Sequence, residues 1–147
     1  MPSDSTVLSD AQVAAIVRGV LQLGRRLRAQ RPRDSVSLSA LAILSTLYAQ
    51  GAMTAARLAE AERLQPQSLT RLIQDLEEKG LIARTPDPDD RRNLRISLTE
   101  AGRRAFYYDI AARHTWLSGA MAERLTGDEQ ALLLMASEVM AKLARPD

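Results

Sequence analysis

The chain has 147 residues, 46% hydrophobic and 26% charged, with 20 Lys and Arg against 18 Asp and Glu, one His and no Cys. That length and balance describe a single ordinary globular domain, large enough to bury a core without disulfide or metal staples. The missing Cys excludes thiol redox sensing, Cys-ligated zinc and a Cys nucleophile, and a lone His cannot build a His-rich metal site, so neither a metal nor a cofactor is expected.

At the N-terminus, Asp4 and Asp10 stand where a secretory leader needs basic and then apolar residues, which predicts a cytoplasmic protein. The longest charge-free stretch, Ser35 to Ala56, is broken by Ser37, Ser39, Ser45, Thr46, Gln50 and Gly51. It is too polar for a membrane span and reads instead as a buried helix. A first helix follows the capping box Ser9-x-x-Gln12 and ends near Pro32, with Val13, Ile16, Val20, Leu23 and Leu27 in steps of three and four. Its apolar seam is narrow and flanked by Arg18, Arg25, Arg26 and Arg28, the pattern of a helix packed on a partner helix. Ser37 or Ser39 caps a second helix, apolar on nearly all sides through Leu41, Ile43, Leu44, Leu47 and Tyr48, which Gly51 ends.

Thr54 caps a short third helix over about Ala55 to Ala61, with Leu58 facing the core. A brief connection through Arg63 and Leu64 leads to a fourth helix from about Pro66 to Lys79, with Pro in its first turn and Gly80 at its stop. Leu69, Leu72, Ile73 and Leu76 form its buried stripe, leaving Gln67, Ser68, Thr70, Arg71, Gln74 and Asp75 outward. Leu81 to Thr85 and Asn93 to Leu98 read as two strands; in the second, Leu94, Ile96 and Leu98 alternate with polar residues. The loop between them, Pro86 to Arg92, is longer than a tight hairpin needs and is expected to project. Thr99 caps a long fifth helix reaching about Arg124, and Thr126-x-x-Glu129 opens a sixth.

Helix, short helix, helix, two-stranded ribbon, with helices at both chain ends, is the order of a winged helix-turn-helix. The first half of the fourth helix offers Gln65, Gln67, Ser68, Thr70 and Arg71 and no acid, while Asp75, Glu77 and Glu78 crowd its second half. That reverses the usual preference for acids early in a helix, and a phosphate-lined groove at the N-terminal end explains the reversal. The ribbon loop carries Arg91 and Arg92 at its far end, behind Asp87, Asp89 and Asp90. Arginine at a loop tip suits a narrow minor groove. The plainer readings are a solvated helix face and an internally compensated charge cluster.

The run from Leu69-Thr70-Arg71 through Lys79-Gly80-Leu81-Ile82 to Asp90-Arg91-Arg92-Asn93 and Leu98-Thr99-Glu100-Ala101-Gly102 resembles the MarR family of bacterial transcription regulators. The resemblance covers nearly the whole chain. It implies a mainly α fold: one domain over 1–147, with a winged helix-turn-helix at 36–98 and dimerisation helices at 9–33 and 99–145. It further implies a homodimer reading a palindromic operator in double-stranded DNA, usually as a repressor relieved by a small aromatic or phenolic effector. Carried over residue by residue, recognition contacts fall on Gln67, Ser68, Thr70 and Arg71, and the wing contact on Arg92 with Asp90 as its supporting acid. Arg91 and Asn93 become phosphate neighbours. Arg95 departs from the pattern, in a ribbon position expected to be apolar or small. The absent Cys departs from the peroxide-sensing branch, and the single His from the zinc-sensing one. By location alone, Tyr48, Tyr107, Tyr108, His114 and Trp116 become pocket candidates.

A second reading is a winged-helix protein-interaction module. Residues 54–98 hold eight basic against eight acidic residues, whereas a DNA reader is more often basic there. An enzyme is not expected, because the chain lacks a Gly-rich phosphate loop, a metal-ligand cluster and a catalytic triad pattern.

Overall fold

The computed structural model describes residues 7–145, so Asp4, read above against a secretory leader, lies outside the described residues. Six helices and three strands follow in the order α1 (Asp10–Ala29), α2 (Leu38–Gln50), β1 (Met53–Thr54), α3 (Ala55–Glu62), α4 (Pro66–Glu78), β2 (Ile82–Pro86), β3 (Leu94–Leu98), α5 (Glu100–Arg124) and α6 (Gly127–Leu143). This is the mainly α winged helix-turn-helix expected from the sequence. None of the described helices is long and apolar enough to cross a membrane.

Each predicted cap forms. Ser9 and Thr126 make complete capping boxes with Gln12 and Glu129. Ser37 rather than Ser39 caps α2, accepting from the Ala40 amide at 3.1 Å, and Thr54 and Thr99 accept from the amides of Arg57 and Gly102. Gly51 and Gly80 close α2 and α4 at φ 80° and 69°, where a side chain is strained.

Two expectations need correction. The ribbon is part of a three-stranded antiparallel sheet in the order β1-β3-β2, because Met53 and Thr54 pair with Ile96 and Arg95. A two-residue strand has no periodicity to detect. In addition, Leu94 does not share the buried face of β3 with Ile96. It is 47% exposed at the wing end, where the ribbon has already left the core.

The buried hydrophobic residues all lie between Ala40 and Phe106, supplied by α2, β1, α3, α4, β2, β3 and the start of α5. Neither α1 nor α6 contributes a buried residue. The winged body therefore carries a core of its own, while the two terminal helices leave their apolar seams uncovered. Val13, Ile16, Val17, Val20 and Leu21 on α1, and Leu132, Leu134, Met135, Val139 and Leu143 on α6, are each between 47% and 82% exposed.

Candidate nucleic-acid interface

Helix α4 is anchored by Leu69, Ile73 and Leu76, each at most 3% exposed, which turns Gln67, Ser68, Thr70 and Arg71 to the surface. Its N-terminus is open: Gln65 makes no side-chain capping bond and Pro66 occupies the first turn. The amides there face outward unsatisfied by the chain's own side chains, which favours an anion. The Thr70 hydroxyl donates to the Pro66 carbonyl at 2.8 Å, so it is left to accept rather than donate. Arg63, in the turn between α3 and α4, adopts the left-handed conformation at φ 52°.

The wing is a built loop. The Asp87 amide donates to the Asn93 carbonyl at 2.8 Å, and the Asn93 amide donates to the Asp90 carbonyl at 2.9 Å. The Asp90 carboxylate accepts from the Arg92 backbone amide at 3.0 Å and from the Asn93 side-chain amide at 3.3 Å. Asp90 thus shapes the turn that carries Arg92 and forms no ion pair with its guanidinium. Arg95, which fitted no expected pattern, ties the wing to the body. Its guanidinium donates to the Ala52 carbonyl at 2.8 Å and lies 3.8 Å from the Asp87 carboxylate.

Three of the acids in residues 54–98 form ion pairs. Asp75 pairs with Lys79 at 2.7 Å, Glu77 with Arg84 at 3.1 Å, and Asp87 with Arg95. Arg71, Arg91 and Arg92 form no ion pair among the described residues. The exposed Glu78, Asp89 and Asp90 form none either, so the wing carries both signs of charge, and Asp90 turns its carboxylate onto the amides of the loop.

A cleft of about 510 Å³ lies between α1, α2 and α5, lined by Leu27, Leu38, Leu41, Ala42, Ser45, Phe106, Ile110, Arg113, His114 and Leu117. Of the five pocket candidates only His114 is in its wall. Tyr48 stacks on Phe106 at 4.8 Å, and its hydroxyl meets that of Tyr107 at 2.7 Å. That hydrogen bond is the main cause raising the Tyr107 phenol above its ordinary pKa. Tyr108 donates to Asp34 at 3.0 Å, which likewise raises its pKa, and Trp116 lies under Arg26 at 5.6 Å. These four rings lie outside the wall of that cleft, and Tyr107 and Tyr108 are more than half exposed. Arg113, not singled out from the sequence, turns a buried Nε toward no hydrogen-bond partner.

Sequence reading also missed Asp109. Its carboxylate is fully buried and takes Arg31 Nε at 2.7 Å, the Ser35 hydroxyl, and the Arg113 guanidinium. Burial opposes its charge, but hydrogen bonds from Ser35 and Arg31 and the charges of Arg113 and Arg31 outweigh burial. The carboxyl is held below its ordinary pKa. Only the Asp109–Arg113 pair, four apart on one helix, left a signal in the sequence.

Comparison with known proteins agrees with this geometry. Residues 36–94 match the MarR family. The chain is 37% identical to the HTH-type transcriptional regulator MT0903.1 of Mycobacterium tuberculosis, over 97% of this chain and 96% of that one. It is 32% identical to the HTH-type transcriptional repressor MdtR of Bacillus subtilis, over 77% of this chain and 70% of that one. A crystal structure of a transcriptional regulator protein from Pseudomonas aeruginosa PA01 superposes with a TM-score of 0.79 at 37% identity, covering 99% of this chain and 100% of that one.

Proposed function

Because this chain belongs to the MarR family and is a DNA-binding transcriptional regulator rather than an enzyme, we propose that it acts in the cytoplasm as a homodimeric repressor of a palindromic operator. A small aromatic or phenolic ligand relieves that repression. The observation that carries the DNA reading is the open, acid-free first half of α4, which presents Gln67, Ser68, Thr70 and Arg71 to the surface. Arg71, Arg91 and Arg92 form no ion pair among the described residues. Gln67, Ser68, Thr70 and Arg71 read base edges in the major groove, Arg92 enters the adjacent minor groove from a turn built by Asp90, and Arg91 and Asn93 meet phosphates.

Two copies supply the symmetry. The uncovered seams of α1 and α6, with the apolar hollow lined by Ile16, Val20, Leu23, Leu133 and Met140, form a patch of the kind a partner covers. Residues 9–33 and 99–145 are accordingly the dimerisation helices and 36–98 the DNA-binding part. Light scattering at micromolar concentration is expected to give twice the 16.2 kDa chain mass, and a stable monomer overturns the dimer.

Selection from a randomised duplex pool tests the whole reading, and an inverted repeat with half-sites about one helical turn apart is the expected product. On that site, Arg71→Ala weakens binding by about tenfold to a hundredfold while scrambled duplex loses little. Arg92→Ala weakens both and flattens the dependence on salt, measured by anisotropy at two salt concentrations. Equal losses for Arg71→Ala on operator and scrambled DNA contradict its role in base readout.

The relieving ligand is assigned to the cleft between α1, α2 and α5. Phe106 and the aliphatic wall suit an aromatic body, and the unpartnered Nε of Arg113 suits an acidic oxygen at one edge. A thermal-shift screen of phenols and aromatic acids is expected to yield compounds that stabilise the wild type and not Ala42→Trp, which fills the cleft. The same compounds should lower operator affinity; stabilisation that survives Ala42→Trp places the ligand elsewhere.

A further inference from the structure

The α1 arm contributes no buried residue, and its principal packing neighbour in the chain is α5. Where the arm gives way to the winged body, the connection to α2 is held on one carboxylate. Asp109 of α5 takes Nε of Arg31, just beyond the end of α1, and the hydroxyl of Ser35, three residues before α2 begins. Arg31 also donates to the Val36 carbonyl, closing the link on itself. The second cation, Arg113, sits one turn further along α5 and balances the charge without joining another element. The cluster is more than a generic fold contact, because a fully buried acid with three donors, two from the α1–α2 connection and one from its own helix, has one geometry that satisfies them all.

We propose that Asp109, acting through Arg31 and Ser35, is a positioning residue that sets the angle between the α1 arm and the winged body, and with it the half-site spacing that the protein accepts. This rests on the dimeric operator reading above. A lever argument gives the scale. The 20 residues of α1 span about 30 Å, so a tilt of about 10° at its base moves the far end by about 5 Å. That exceeds the separation of successive base pairs, about 3.4 Å. A joint held within a few degrees is therefore what lets two recognition helices distinguish one spacing from the next.

The test uses full-length wild type, Arg31→Met and Ser35→Ala on the selected operator, on versions one base pair longer and shorter between half-sites, and on a single half-site. Wild type is expected to lose about tenfold or more when the spacing shifts, because simultaneous engagement depends on geometry. In Arg31→Met that penalty should shrink to about threefold or less while single half-site affinity stays unchanged, with Ser35→Ala between the two. Ser35→Ala keeps the ion pair and decides the question if Arg31→Met does not fold. A wild-type penalty retained by the folded variants overturns this inference alone. A wild type that binds the pair no tighter than a single half-site overturns the two-site reading and this inference together.

Discussion

Asp109→Ala is expected to melt about 10 °C or more below the wild type at equal protein concentration, reflecting a loss of about 3–5 kcal/mol. The loss does not come from a missing attraction alone. Arg31 and Arg113, whose side chains are only 13% and 25% exposed, would be left as uncompensated charges beside the core, and the Ser35 hydroxyl would lose its acceptor. The same carboxylate predicts an acid limb. Because its pKa is lowered in the folded protein, the unfolded chain binds its proton first. Its stabilisation is therefore complete above the ordinary aspartate range, about pH 3.9, and disappears as pH falls through the lower folded value. Thermal melts from pH 6 downward should show the wild type losing its margin over Asp109→Asn in the acid range. A margin independent of pH would mean that folding does not lower the pKa of Asp109, and a margin that grows as pH falls would mean that folding raises it.

Gly102→Ala is expected to cost about 3 kcal/mol or more, the upper range for forcing atoms into a filled space. A Cβ at Gly102 would lie 2.0 Å from the Leu81 carbonyl oxygen and 3.0 Å from Leu98 Cδ2. The first of these is backbone and has no rotamer to escape into. The approach is close because the first turn of α5 is bolted to the end of α4: the Thr99 amide donates to the Leu81 carbonyl at 3.1 Å and the Thr99 hydroxyl to the Gly80 carbonyl at 2.6 Å. Relief requires α5 to lift away from the recognition helix and the wing strand, so operator affinity should fall together with stability. Chemical denaturation and operator titration on the same preparation check both. Wild-type stability in Gly102→Ala would show that α5 does not sit where it is described. Within the Leu98-Thr99-Glu100-Ala101-Gly102 run, which helped to mark the family resemblance, Leu98, Thr99 and Gly102 thus have a packing role.

Much of the molecule was legible in the sequence because it is made by residues three or four apart. The caps at Ser9, Ser37, Thr54, Thr99 and Thr126, the stripe Leu69, Ile73, Leu76 and the glycine stops at Gly51 and Gly80 each form as their local pattern predicts. Periodicity also separated the well-cored middle of the chain from terminal helices with narrow seams, which is why a winged body carrying two arms was predictable.

Tertiary structure decided what depends on segments meeting. Met53 and Thr54 became a strand only because β3 lies beside them, and Arg95 found its role in Ala52 and Asp87. Which of the balanced charges of residues 54–98 pair with one another was decided in space, where Asp75, Glu77 and Asp87 took Lys79, Arg84 and Arg95 as partners. Asp109 and Arg31 are 78 positions apart, and no local rule connects them. The cleft is walled by three helices, so nearby aromatic residues were poor guides to its lining, while Arg113 was in it unannounced. Hydrogen bonding and helical periodicity act over one turn and leave their mark in the order of residues. Burial, ion pairing and cavity shape depend on distances that exist only after the chain has closed on itself.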